Sequence, residues 1–172
     1  MDLSAHIGAI PDFPKAGILF RDISPLLAEP RAFRECLRLL GDHARSLGVT
    51  HLAGIESRGF VFAAPLAVEL EVGLVLLRKP GKLPGTVLRR DYTLEYGDAS
   101  LELQSGRLGQ GDRVLILDDL LATGGTALAA AELVEEAGAS VVGLAFVIEL
   151  TGIGGRAALA RWPVFRLLEF EA

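Results

Sequence analysis

Cysteine, histidine and lysine are all scarce in this chain. Cys36 is the single cysteine and falls on the apolar face of RECLRLL, so no intrachain disulfide can form and a core thiol is favoured over a nucleophile. His6, His43 and His51 stand at no ligand spacing to one another or to Cys36, which argues against a protein-held zinc site. Apolar residues make up 51% and mean hydropathy is +0.41. Even so, no uninterrupted apolar run approaches the roughly 20 residues of a membrane span. The start, MDLSAHIGAIPDFPKAG, lacks a basic segment followed by an apolar one, so a secretory signal is not expected and a cytoplasmic location is. No Gly-x-x-x-x-Gly-Lys loop occurs, which disfavours a P-loop nucleotidase. A net charge of −5 has the wrong sign for a global nucleic-acid footprint.

What basic character exists is local. Of three lysines, Lys79 and Lys82 both fall in RKPGKLPG, with Arg78 before them and Arg89 and Arg90 soon after. A solvated basic loop is the plain reading. Against it, lysine is nearly absent elsewhere, so the clustering reads as an anion site.

The most informative stretch is RVLILDDLLATGGTALAAAELVEEAG, residues 113–138. RVLIL is a short apolar run of the kind a strand buried on both faces shows. Asp118 and Asp119 follow at its carboxyl end, and then the small-residue loop Ala122, Thr123, Gly124, Gly125 and Thr126. Ala127, Ala130, Ala131, Val134 and Ala137 repeat at helical spacing, and Gly138 stands where a left-handed C-cap belongs. A glycine loop opening a helix offers unpaired N–H groups and the positive end of the helix dipole, which suit a phosphate. The two acids would repel that phosphate, so they suit sugar hydroxyls or a cation. An ordinary strand-loop-helix turn is the alternative.

The other segments repeat this logic. At 172 residues the chain is expected to form one domain. Residues 1–9 form a short helical turn or stay loose, and IPDFPKAGILFR, residues 10–21, reads as an ordered extended loop. Pro30 opens an amphipathic helix that ends near Gly48. A buried strand at 50–55 leads into Glu56-Ser57-Arg58-Gly59 and a helix ending in glycine. Ser57 alone reads as a helix N-cap, but Arg58 beside it and the open backbone of Gly59 point to a phosphate or diphosphate pocket. GLVLLR, 73–78, is another buried strand. Residues 92–97 and 99–104 alternate as a small antiparallel hairpin standing off the main sheet. Gly106, Gly109 and Gly111 lie in a polar turn that is no dinucleotide fingerprint. Strands at 140–150 and 164–168, with a helix at 156–161 between them, complete a parallel sheet covered on both faces, with ligands at the strands' carboxyl ends.

With these residues in view, the chain resembles the adenine phosphoribosyltransferases, within the type I phosphoribosyltransferase family. The resemblance runs almost end to end, through IPDFPKAGILFRDISPLL, GIESRGFVF, RKPGKLPG, YTLEYG and VLILDDLLATGGT. DDLLATGGT marks the wider family, whereas PDFPKAGILFRDISP and LEYG are specific to the adenine branch; Pro80 stands where some members have another base. The resemblance implies an α/β fold with a central, mainly parallel sheet flanked by helices and a small antiparallel hood hairpin. It implies a single domain over residues 1–172, with a base-binding segment at 1–30 and a flexible loop and hairpin at 79–104.

The implied reaction moves a 5-phosphoribosyl group from phosphoribosyl diphosphate (PRPP) to N9 of adenine, giving AMP and diphosphate. By resemblance, Ala122 to Thr126 hold the 5-phosphate, with Asp118 and Asp119 on the ribose hydroxyls. Ser57 and Arg58, through an unusual cis peptide, face the diphosphate with Arg78, Lys79 and Lys82. Phe20 and Leu150 sandwich the purine while backbone groups near Leu19 and Arg21 read its edge. Glu95 handles the purine proton, with Tyr96 beside it as a second catalytic candidate on a hairpin that closes over the site. Mg2+ is held mainly through PRPP and water, and the chain is expected to form a homodimer whose basic loop reaches across the interface. A backbone carbonyl facing the 6-amino group would oppose the 6-oxo group of hypoxanthine, and leaving it unpaired costs about 1–3 kcal/mol. The rival readings are a transferase for hypoxanthine, xanthine or guanine, and a PRPP-sensing regulator that keeps the fold without the chemistry.

Overall fold

The structure, a computed structural model, describes residues 1–94 and 97–172. Its centre is a seven-stranded sheet in the order β5-β6-β4-β3-β7-β8-β9. β3 (His51–Ile55), β4 (Gly73–Arg78), β7 (Arg113–Leu121), β8 (Ser140–Thr151) and β9 (Val164–Glu171) run parallel. β5 (Val87–Leu94) and β6 (Gly97–Gln104) form an antiparallel hairpin as expected, but its first strand begins at Val87 rather than Tyr92, and Gly97 and Asp98, expected in the turn, open β6. Its root is part of the sheet rather than clear of it, because β6 pairs with β4 through Leu77–Leu103 and Arg78–Glu102.

Side-chain alternation in the central strands sorts the core into two layers. Val114, Ile116, Leu144 and Phe146 face one layer with α4 (Gly125–Glu136). Leu115, Leu117, Ala145 and Val147 face the other, which is covered by α1 (Ser24–Ala28), α2 (Pro30–Leu47) and α3 (Arg58–Leu70). α2 follows its pattern closely. The Glu29 carboxylate accepts from the Arg31 N–H at 3.1 Å, and Gly48 closes the helix at φ 59°. Cys36 lies fully buried between them, where desolvation pushes its thiol up to about 12, so it is inert packing.

Several boundaries differ from the sequence expectations. Residues 10–21 do not form a plain loop: β1 (Gly8–Pro11) and β2 (Leu19–Asp22) pair as a separate antiparallel sheet. The bend between them is made by Asp12 at φ 57° and a cis Phe13–Pro14 bond. α3 ends at Leu70 on a left-handed Glu71, not on a glycine, and Gly73 begins β4 opposite His51. The helix expected at 156–161 is the shorter α5 (Gly155–Ala158), while β9 runs on to Glu171. No helix among the described residues is long and apolar enough to cross a membrane.

α3 carries the load of the second layer through Phe62, fully buried with its ring edge-on to Phe33 at 6.0 Å. Phe62→Ala is expected to lower unfolding stability by about 3–5 kcal/mol, seen as a lower urea midpoint at unchanged slope and fixed protein concentration. A loss under about 1 kcal/mol would mean that this layer collapses around the gap.

Candidate active site

Three cavities open along the carboxyl ends of β3, β4 and β7, and shared residues join them into a row. The middle one, about 200 Å³, is lined by Arg58, Asp118, Asp119 and residues 120–127. β7 runs to Leu121, past the end expected at Leu117, and keeps pairing with β8 after β3 stops. The two acids therefore sit on rigid strand rather than in a loop. Asp119 is 3% exposed, and its N–H donates to Asp118 Oδ1 at 2.9 Å. Burial, and then the neighbouring Asp119 carboxylate, push the Asp118 carboxyl well above the usual carboxylate range. Beyond them Gly124 caps α4 at φ 88°, and the helix opens its unpaired amides onto the cavity. At its far end Gly138 and Ala139 donate to Glu135 and Val134, the Schellman closure that Gly138 foreshadowed.

Arg58 is the first residue of α3 and stands at the edge of this cavity. Its Nε lies 2.8 Å from Asp119 Oδ2. The preceding Glu56–Ser57 peptide is cis, and Ser57 takes the N-cap position of α3 without a capping bond from its side chain. Gly59 was expected to leave the backbone open to a ligand. Instead β7 occupies that space: a Cβ at Gly59 would lie 2.4 Å from the Leu117 carbonyl oxygen.

A second cavity of about 560 Å³ shares Asp118 and Thr126 with the first and adds Glu56, Lys79, Pro80, Tyr92 and the start of β6. Arg78 does not point freely into it: its guanidinium pairs with Glu56 through two contacts of 3.2 Å, and Nη1 donates to the Lys82 carbonyl at 3.0 Å. Glu56 also accepts from the Lys79 N–H at 2.9 Å. That bond, and then Arg78, hold its carboxyl below the usual range. Lys79 and Lys82 are exposed on the loop so fixed. From the hairpin side, the Tyr92 hydroxyl accepts from the Thr126 hydroxyl at 3.3 Å. Glu95 and Tyr96 lie outside the described residues.

The third cavity, about 440 Å³, shares Arg58 with the first and is lined by Ile10, Phe13, Phe20 and the Asp22–Ser24 turn. Phe20 meets Phe13 edge-on at 5.1 Å, and the Arg58 guanidinium lies 5.4 Å from its ring centre. Leu19 is about half exposed, and Arg21 stacks on Phe170 at 4.3 Å. Leu150 is not drawn to this cavity; it pairs with Phe170 across β8 and β9 and packs against the core.

A model of the phosphoribosyl transferase domain matches residues 22–162. An adenine phosphoribosyltransferase of Synechococcus sp. is 56% identical over 171 residues, 99% of each chain. The chain belongs to the adenine phosphoribosyltransferases. Among solved members of this family, the Thermoanaerobacter pseudethanolicus structure is similar with a TM-score of 0.95 at 45% identity, covering 98% of both chains. The Giardia lamblia enzyme complexed with 9-deazaadenine has a TM-score of 0.93 at 38% identity, covering 99% of this chain and 97% of that one.

Among the described residues, no three His, Cys, Asp or Glu side chains converge as a metal-holding group. The acids on the family's signature strand are differently committed, Asp119 to Arg58 and Asp118 toward its neutral form. Sequence reasoning missed the roles of Glu56, which organises the basic loop, and of Tyr92, which touches the glycine loop. An acid just before Ser57 and an aromatic in YTLEYG were visible, but their partners lie 22 and 34 residues away.

The raised Asp118 carboxyl sets a pH dependence. A group whose folded pKa is raised contributes stability that is complete below about pH 4 and lost as pH rises through the folded value. Asp118→Asn, which cannot ionise, is expected to melt higher than the parent chain near about pH 7.5 and nearly equal to it near about pH 4. A melting-temperature difference that does not grow with pH would contradict the raised value.

Proposed function

We propose that this chain is an enzyme of purine salvage that transfers the 5-phosphoribosyl group of PRPP to N9 of adenine, forming AMP and diphosphate. The observation that carries the reading is the row of three joined cavities. Arg58 lies between the Phe20 cavity and the glycine-loop cavity, and Asp118 and Thr126 lie between that cavity and the basic loop. A base, a phosphorylated ribose and a diphosphate need three such neighbouring sites. Full-length similarity to adenine phosphoribosyltransferases supports the same assignment.

In this reading Ala122, Thr123, Gly124, Gly125 and Thr126 hold the 5-phosphate through backbone amides and hydroxyls. Asp118 and Asp119 take the ribose hydroxyls. Ser57, Arg58, Lys79 and Lys82 face the diphosphate, with Arg78 acting through Glu56 and the Lys82 backbone. When PRPP enters, Asp119 exchanges Arg58 for a ribose hydroxyl, which frees the guanidinium for the leaving diphosphate. Positive charge there stabilises the departing group as the ribose carbon gains oxocarbenium character. Mg2+, arriving on PRPP with phosphate oxygens and water as its ligands, would neutralise further diphosphate charge; the committed acids suit that arrangement better than a protein-held ion.

Phe20 offers a face for the purine and the backbone at Leu19 and Arg21 the edge contacts; Leu150, outside the Phe20 cavity in this structure, takes the opposite side only if that cavity closes toward β8 on the base. Glu95, assigned from sequence alone, manages the purine proton, with Tyr96 beside it, and the hairpin excludes water from the reacting carbon. The enzyme works in the cytoplasm as a homodimer; sedimentation at the mass of one chain at all concentrations would refute the dimer.

Incubating the protein with PRPP, Mg2+ and each of adenine, hypoxanthine, guanine and xanthine tests the function. Adenine should be favoured over hypoxanthine by about tenfold to a hundredfold or more in kcat/KM. Equal use of the 6-oxo purines, or PRPP binding with no AMP, would reject the proposal. Glu95→Gln should lower kcat while leaving PRPP affinity largely intact, and unchanged turnover would remove Glu95 from the mechanism.

A further inference from the structure

At the carboxyl end of β8, an almost fully buried acid takes no part in the site described above. Glu149 is 6% exposed. Arg156 grips it with both arms of the guanidinium, Nε donating to Oε1 at 2.9 Å and Nη2 to Oε2. Arg166 Nε lies 3.1 Å from the same Oε2. The Arg156 hydrogen bonds are the largest influence holding the Glu149 carboxyl below its ordinary range. Arg156 Nη1 also donates to the Val164 carbonyl at 3.2 Å, so one side chain joins the end of β8, the start of β9 and its own turn, α5.

That turn presses on the glycine loop mainly through backbone. A Cβ at Gly155 would lie 2.0 Å from the Ala122 carbonyl oxygen and 3.0 Å from Leu121 Cγ. In the other direction, a Cβ at Gly124 would lie 2.8 Å from the Gly155 carbonyl oxygen and 2.9 Å from Ala158 Cβ. Neither chain segment can take a side chain without moving the other. The loop from Ala122 to Thr126 has little side-chain bulk of its own to fix its shape, and glycines widen its choices.

We infer that Glu149, Arg156 and Gly155 are positioning residues for the glycine loop: the ion pair fixes α5, and the α5 backbone sets where the amides of residues 122–126 point. The inference rests on the proposal that this loop holds the 5-phosphate. Amides aimed in advance need no ordering when the anion arrives, so displacing them weakens phosphate binding and misplaces the ribose carbon. Leu150, next to Glu149, is held by its own ladder to Phe170, so base binding is not expected to follow.

The test measures ribose 5-phosphate and diphosphate affinity by calorimetry, together with KM for PRPP and for adenine, in the full-length protein. Gly155→Ala and Arg156→Gln should each weaken ribose 5-phosphate and raise the PRPP KM about tenfold to a hundredfold, the loss of one charge-assisted contact. Adenine KM and diphosphate affinity should stay near the parent values, with Arg156→Lys falling between. If Gly155→Ala fails to fold, Arg156→Gln decides, because that side chain is about half exposed. Equal loss of all four quantities would mean general destabilisation and overturn the inference. A Thr123→Val/Thr126→Val control separates it from its premise. Unchanged ribose 5-phosphate binding in the control rejects the loop as the 5-phosphate site. Weakened binding in the control with parent-like Gly155→Ala and Arg156→Gln rejects only the positioning role.

Discussion

The space that a side chain at Gly59 would fill is occupied by the carbonyl of Leu117, and most of the site follows from that contact. It draws the start of α3 against β7 just where β3 stops pairing. Arg58, one residue earlier, is thereby brought to Asp119 and over the Phe20 ring. Two loops from neighbouring strands and a segment from the chain's beginning meet around one guanidinium. Gly155 repeats the device on the other side of β7, where backbone rather than side chain touches the Ala122 carbonyl. Missing side chains at these two places let strand-end loops approach more closely than packed side chains would allow.

Ion pairs then hold what the backbone contacts have brought together. Arg58 with Asp119, Arg78 with Glu56, and Arg156 with Glu149 each join a strand end to a turn or the start of a helix. In each pair the acid is the more buried partner and the arginine the more exposed. Such pairs stabilise little where solvent reaches them, but breaking one leaves a buried carboxylate without its cation. Their value is geometric. The hairpin is tied in the same way, with Arg90 Nη2 lying 3.1 Å from Glu136 Oε2 on α4, so the hairpin and the helix behind the glycine loop are linked at both Arg90 and Tyr92.

Local rules made much of this legible. The strand, acids, glycine loop and helix of residues 113–138 were readable because apolar period, small residues and caps all agreed, and α2 was bounded almost to the residue by Pro30 and Gly48. The N-terminal segment was harder. Its two prolines argue against a central strand, and only long-range register revealed that Gly8–Pro11 pairs with Leu19–Asp22. β7 was read four residues short, because acids in a strand contradict its apolar pattern until their partners are known. The register that sets Leu150 opposite Phe170 likewise depends on a strand 20 residues away and leaves no mark in the local sequence. The positioning roles of Gly59 and Gly155 had no local signal, since what fills the space of a missing Cβ is always another part of the chain.

A chain with net charge −5 that binds a substrate with two phosphorylated ends must place its positive potential economically. In the proposed reading the two ends are met differently. The monophosphate faces helix-start amides and hydroxyls, which carry partial charge and strict direction. The more highly charged diphosphate faces Lys79 and Lys82, two of only three lysines in the chain, on a loop tied down by Glu56 and Glu102. Reversing PRPP would put the more highly charged diphosphate on amides that carry only partial charge and leave the lysines a single phosphate. In the proposed reading this difference sets which way the ribose lies, with the reacting carbon on the Arg58 side, toward Phe20 and the base.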